Sequence, residues 1–139
     1  MATINKFEEL EIWQLARALY KKISIISKQL KAEKEFRFSE QIKSAAGSIM
    51  DNIAEGFERN SRLEFLHSLG ISKGESGELK SQLFRLLDDK FVSETNFSEL
   101  YHETDILSKK IASLIIYLNN SEHKGLKFKD RTKTINQKQ

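Results

Sequence analysis

Two Glu-x-x-His pairs, Glu64 with His67 and Glu99 with His102, are the side chains of this sequence best spaced to hold a metal. Residues three apart share a helix face, and di-iron carboxylate bundles use such pairs together with one glutamate from each remaining helix. Here each pair stands near the start of its helix. If the two helices run antiparallel, a rise of 1.5 Å per residue sets the pairs roughly 20 Å apart, beyond the reach of one cluster. The first helix adds no mid-helix carboxylate, because Glu8, Glu9 and Glu11 crowd its beginning. The spacing predicts solvent-facing side chains, with no metal and no cofactor. Ser, His and acidic residues are present, but no G-x-S-x-G context positions a nucleophile. Gly70, Gly74 and Gly77 lie inside a helical pattern without G-x-G-x-x-G or a terminal G-K-[ST], so they form no phosphate loop. No catalytic residue emerges, and the chain reads as non-enzymatic.

Charge offers a different chemistry. The net charge of +3 is uneven: through Asn119 there are 17 Lys and Arg against 18 Asp and Glu, and beyond it 6 against 2. Candidate phosphate contacts are Lys43, Arg59, Arg62 and Lys73 in the body and Lys124, Lys127, Lys129, Arg131 and Lys133 in the tail. Phe128, between Lys127 and Lys129, is placed to stack on an unpaired base. The alternative is a tail that is simply disordered and solubilising. No base-reading motif accompanies these cations, so binding would be driven by backbone charge and would weaken steeply with salt.

At 139 residues the chain fits one domain that buries roughly two-thirds of its unfolded surface. Proline is absent and 31% of residues are charged, which suits helices with one wet face. The lack of cysteine excludes thiol nucleophiles, thiolate metal sites and disulfides, and fits a reducing compartment. The opening MATINKFEEL has no apolar signal core, and the longest apolar run, Leu114 to Leu118, is far short of a membrane span. A cytoplasmic location is expected.

The elements that must position these residues are helices. The first is expected from Asn5 or Lys6 to about Lys28, with Asn5 as cap and Phe7, Leu10, Trp13, Ala16, Tyr20, Ile23 and Ile26 on its core face. The second is capped by Ser39, buries Ile42, Ala45, Ala46, Ile49 and Ile53, and weakens or ends at Gly56. Ser61 and Glu64 form a capping box that starts the third, which runs to about Asp88. Its glycines, Gly70, Gly74 and Gly77, share one stripe, where a backbone could approach closely. The stripe is expected to pack on the Ala45, Ala46 and Ser48 region, or else the glycines break this helix in two. Ser93 or Asn96 caps the fourth, whose seam is Phe97, Leu100, Thr104, Leu107, Ile111, Leu114 and Leu118. Short connections favour antiparallel neighbours and hence an up-down-up-down bundle. Ile25, Ile115, Ile116 and Tyr117 fall partly outside the seams, so self-association is expected to cover them. Asn52, Glu55, Glu78 and Gln82 can share a face between the second and third helices, as a polar network serving packing and assembly.

Several of these segments carry a family likeness. Phe7, Leu10, Trp13 and Ala16 match an F-x-x-L-x-x-W-x-x-A opening. Gln41, Ile42, Lys43, Ala45, Ala46, Ser48 and Ile49 begin the second helix, and Asn52 to Gly56 spell NIAEG. Ser61, Glu64, Phe65, Leu69, Gly74, Glu78, Leu79, Gln82 and Leu83 follow on the third. Together they resemble the four-helix-bundle proteins related to the product of intervening sequences in bacterial 23S rRNA genes, with a more distant likeness to the accessory protein of diversity-generating retroelements. The resemblance covers about Phe7 to Leu118. It implies a homo-oligomeric bundle, commonly a ring of five subunits, that handles nucleic acid and has no known catalytic centre. Trp13, Gln41, Asn52, Glu55, Gly56, Gly74, Glu78 and Gln82 become its structural and assembly positions. Ser44 stands where the family pattern usually has a second basic residue and Met50 where proline is common, while Glu75 and Gly77 are atypical. Losing a cation at Ser44 and adding a carboxylate at Glu75 weaken phosphate attraction at those two places.

The sequence therefore predicts an all-α, antiparallel up-down-up-down four-helix bundle over residues 1–119, followed by a basic, disordered tail over 120–139. Its expected role is that of a homopentamer binding rRNA or other RNA or DNA through basic surfaces. The alternative is a scaffold module docking a protein partner such as a reverse transcriptase or ribosomal component. No membrane partner is expected.

Overall fold

The computed structural model describes residues 3–121. Four helices follow a 3-10 turn at Phe7–Glu9: α1 Glu11–Ala32, α2 Phe36–Glu58, α3 Arg62–Asp88 and α4 Glu94–Asn119. There is no strand among the described residues. Consecutive helices pack on one another, and α4 returns to α1 more lightly.

Local chemistry explains where each helix begins. Ser61 Oγ accepts from the Glu64 amide at 3.4 Å and Ser93 Oγ from the Asn96 amide at 3.1 Å, so both expected caps are in place. Asn5 is not the cap of α1. The helix starts at Glu11 after Leu10, whose extended backbone and full burial turn the chain into the core, and it runs past Lys28 to Ala32. Ser39 does not cap α2 either. It lies one turn inside that helix, 1% exposed, where its hydroxyl donates to the Ser27 carbonyl at 2.7 Å. The two hydroxyl oxygens sit 2.7 Å apart, a polar clasp between α1 and α2. Without it, two hydroxyls in this dry contact would lose their partners.

Helix stops are set by left-handed residues that are not glycine. Lys34, Asn60 and Lys90 adopt φ of 65°, 53° and 64° in the three turns. The amides of Glu35 and Phe91 then reach back to the carbonyls of Leu30 and Leu86 at 2.8 and 2.9 Å, the six-to-one bond of a Schellman motif. Gly56, expected to weaken or end α2, lies inside it and is buried.

The glycine stripe is the main reversal. An added Cβ at Gly70, Gly74 or Gly77 would meet nothing within 4 Å. The stripe therefore faces away from α2, and α3 continues through it unbroken. What packs on α2 is the opposite set of small residues, Ser68, Ser72 and Ser76, all buried. Ser72 Oγ donates to the Ile49 carbonyl at 2.9 Å, and Ser68 Cβ would lie only 2.5 Å from a Cβ at Gly56. The close approach exists, but Gly56 supplies it.

The remaining core follows the apolar periodicity. In α4, Leu100, Thr104, Leu107, Ile111, Leu114 and Leu118 are buried as the heptad requires, and Thr104 returns its hydroxyl to the Leu100 carbonyl. In α1 the buried set also includes Ile12, Leu19 and Leu30, while Trp13 and Tyr20 stay half-buried at its edge. No helix among the described residues is long and apolar enough to cross a membrane.

Candidate nucleic-acid interface

The body cations singled out by sequence separate into different environments. Arg59 at the end of α2 bonds Glu55 at 2.9 Å and stands 3.6 Å from Glu64, contacts that hold its pKa above the ordinary guanidinium value. Arg62, on the first turn of α3, donates to the Leu118 carbonyl at 3.0 Å, at the end of α4, where the Ser121 amide reaches the same oxygen only at 3.4 Å. Lys73 is exposed on α3, close to the glycine stripe. Lys43 is half-buried on α2 and lines a groove with Tyr20, Ser44, Gly47 and Ser48, Glu40 and Asp51 standing at the same groove. The structure does not gather these four into one patch. Lys124, Lys127, Phe128, Lys129, Arg131 and Lys133 lie outside the described residues.

The polar set between α2 and α3 is divided as well. Asn52 Nδ2 bonds the Ser48 carbonyl of its own helix at 2.9 Å, and Glu55 pairs with Arg59. Gln82 Nε2 donates to Glu78 Oε1 at 3.3 Å, while Gln82 Oε1 is buried without a partner among the described residues. Glu75 lies near Glu78, and its carboxyl pKa is raised by burial and by the hydrogen bond with Glu78. Gln41 is exposed on α2. Gly74 is exposed, and Trp13 packs edge-on against Phe7 at 5.1 Å.

Neither Glu-x-x-His pair meets further ligands: His67 and His102 are exposed, and no cluster of three or more metal-ligating side chains occurs among the described residues. Ion pairs do other work. Lys110 binds Glu11 at 2.5 Å and Lys22 binds Glu103, tying α4 to α1. Lys80 reaches Asp105 at 2.6 Å and Lys109 reaches it at 2.9 Å. Those two ammonium groups hold the Asp105 carboxyl down to about 2.

One signal was passed over in the sequence. Between Glu11 and Glu33 there are five Lys and Arg, namely Arg17, Lys21, Lys22, Lys28 and Lys31, and no Asp or Glu. Reading the charge in windows of one helix, instead of over the whole body, isolates this stretch. Helical spacing then predicts that Arg17, Lys21 and Lys28 share a face, and all three are exposed on α1.

Four helices with a buried seam and cations spread over an exposed surface define an all-α helical protein whose surface is its functional candidate. The chain belongs to the family of 23S rRNA-intervening sequence proteins, whose model matches residues 8–113. Its fold is similar to the crystal structure of a protein of unknown function from the S23 ribosomal protein family of Bacteroides thetaiotaomicron. That protein is 24% identical, the match covers 75% of this chain and 94% of that one, and the TM-score is 0.70. No curated protein matches the sequence.

Proposed function

We propose that this protein is a non-enzymatic helical assembly module that binds RNA or DNA through basic surfaces, as a homo-oligomer of five copies. The observation that carries the reading is the separation of charge: a near-neutral body through Asn119 and a basic segment of 6 Lys and Arg against 2 acids beyond it. A single copy binds phosphate weakly, but several basic segments on one assembly gain through effective concentration. The family's name links it to 23S rRNA, which favours RNA as the first ligand to test. An up-down-up-down order is supported by contact pairs that run in opposite directions along neighbouring helices. Ser27 meets Ser39, and further along Tyr20 meets Gly47. Assembly is favoured by apolar side chains left in water, among them Leu63 at 70%, Ile116 at 61% and Ile25 at 59% exposed.

A second reading, docking of a protein partner, is favoured by the aromatic cluster at the α3–α4 edge. There Phe84 lies 4.9 Å from Phe97 and 5.7 Å from Tyr101 and is half exposed. Light-scattering chromatography with and without a labelled structured RNA, across a salt series, separates the two. The nucleic-acid reading expects an oligomer whose RNA affinity falls steeply with salt and drops when residues 121–139 are deleted, with assembly intact. An oligomer indifferent to RNA at low salt would refute it and turn attention to the aromatic edge.

A further inference from the structure

The longest one-signed stretch among the described residues lies on α1. Of its five cations, Lys22 turns to Glu103 on α4, and Lys31 stands 3.8 Å from Glu40 in a loose, exposed contact. Lys21 and Lys28 meet no carboxylate among the described residues, and Arg17 lies 5.7 Å from the centre of the Trp13 ring. Arg17, Lys21, Lys28 and Lys31 follow helical spacing along one stripe, which is about 21 Å long at 1.5 Å per residue. The Trp13 contact holds the first of these cations against the helix, so part of its ordering is already met before a ligand arrives.

Alongside the stripe runs the α1–α2 groove, about 490 Å³ in volume, with the Tyr20 ring on one wall and Lys43, Ser44 and Ser48 on the other. Gly47 keeps it open: a Cβ there would come to 3.5 Å from the Tyr20 ring, and a longer side chain would fill the space. Glu40 and Asp51 outnumber Lys43 at the groove, so its own lining is net negative and all the attraction for phosphate must come from α1.

We infer that the α1 stripe and the adjoining groove form a site for single-stranded nucleic acid. The phosphodiester backbone lies along Arg17, Lys21, Lys28 and Lys31, and an unstacked base enters beside Tyr20 and Lys43. This rests on the nucleic-acid reading above and gives it an address among the described residues. A row of cations on one helix suits a single strand's phosphates, and an aromatic wall offers any base a face to stack on without reading its identity.

The test uses the full-length protein and a short fluorescein-labelled oligouridine, followed by anisotropy over a salt series. The variant Arg17→Gln/Lys21→Gln/Lys28→Gln removes three exposed cations and is checked for unchanged helicity and mass. Each phosphate neutralised on a single strand contributes about 0.7 to the slope of log affinity against log salt, so the slope should shrink by about 2. The charge-matched control Lys6→Gln/Lys34→Gln/Lys90→Gln, three exposed cations off the stripe, should keep the slope of the parent. Gly47→Leu should lower affinity without changing the slope. Equal losses in the stripe variant and the control would overturn the site, because bulk charge alone would then explain binding. So would a parent-like slope in the stripe variant, with binding lost only on deleting residues 121–139; that result would leave the broader reading standing. If the full-length protein binds neither strand nor duplex at low salt, the broader reading fails and the site falls with it.

Discussion

Glycine substitutions in α2 and α3 should change stability with opposite signs. A Cβ at Gly56 would lie 2.5 Å from Ser68 Cβ, 2.8 Å from Ser68 Oγ and 3.2 Å from Phe65 Cδ1. Carbon atoms pack best at about 3.5–4.0 Å, so α2 and α3 must separate locally by about 1 Å to admit a methyl group. Ser68 Cβ is fixed to its backbone and cannot swing aside, and Phe65 is fully buried. Overpacking of this kind costs about 1–3 kcal/mol, against a gain of about 1 kcal/mol from replacing a helical glycine by alanine. Gly56→Ala should therefore lose up to about 2 kcal/mol net, towards the upper end because both Ser68 Cβ and Phe65 are held in place. At Gly70, Gly74 and Gly77 the steric cost is absent, and each alanine should add up to about 1 kcal/mol. Urea titration followed by circular dichroism, at fixed protein concentration, measures both. Adding Ser68→Gly to Gly56→Ala should recover part of the loss, since the two positions share one contact. A Gly56→Ala protein as stable as the parent would refute the packing argument. Destabilisation by Gly74→Ala that grows on dilution would show that a second copy approaches the stripe, and would refute its assignment to open solvent.

Other perturbations follow from the same geometry. Ser39→Ala should cost about 1–2 kcal/mol by leaving Ser27 short of a partner, and Ser27→Ala/Ser39→Ala should cost less than the sum of the single changes; additive losses in urea titration would deny the clasp. Lys90→Gly should stabilise by about 1 kcal/mol, because the left-handed turn no longer carries a side chain, and an unchanged unfolding midpoint would contradict this. Asp105 is held at about 2, below its unfolded value of about 4, so its ion pairs stabilise above that value and their contribution is lost as pH falls from about 4 through 2. Asp105→Asn should therefore be less stable than the parent at neutral pH and converge with it in acid, as read from thermal melts. Glu75 has the reverse sign: a raised carboxyl pKa penalises the fold as pH rises through its titration, so Glu75→Gln should be the more stable protein at neutral pH and lose that advantage in acid.

The parts of this fold legible in sequence are those set by neighbours along the chain. A capping serine needs only an amide three residues on, and Ser61 and Ser93 deliver it. The α4 seam needs only its own heptad. Ser39 has the type and position of a cap, but its hydroxyl is claimed by Ser27 on the preceding helix, a contact no local pattern contains. The three glycines of α3 have the spacing of a close-packed stripe, yet spacing fixes only that they share a face, not which face turns inward. The serines offset from them carry the same small-residue signature, and Ser72 and Ser76 are fully buried. The left-handed turns at Lys34 and Lys90 carry no glycine signal, because a backbone bond back across the helix end outweighs the steric cost there. Residue type marks Arg59 and Arg62 as candidate phosphate ligands, but no spacing along the chain announces that Glu55, Glu64 and the Leu118 carbonyl engage them within the fold.

Net charge is a poor guide to the surface of such a bundle. Through Asn119 cations and acids nearly cancel, yet cancellation is local wherever helices meet and fails where one helix faces water. Lys22, Lys80, Lys110, Arg59 and Arg62 serve helix contacts or helix ends, and Arg85 lies 4.0 Å from the centre of the Phe38 ring. Lys22, Lys80, Lys110 and Arg59 contribute little to a long-range field because a carboxylate sits within contact distance of each. The α1 stripe differs because its own helix supplies no acid between Glu11 and Glu33, so neighbouring helices would have to provide the neutralising charge. They do so for Lys22, and loosely for Lys31. Among the described residues the field is therefore carried by the few cations that the packing leaves unneutralised, and on α1 these line up along one face.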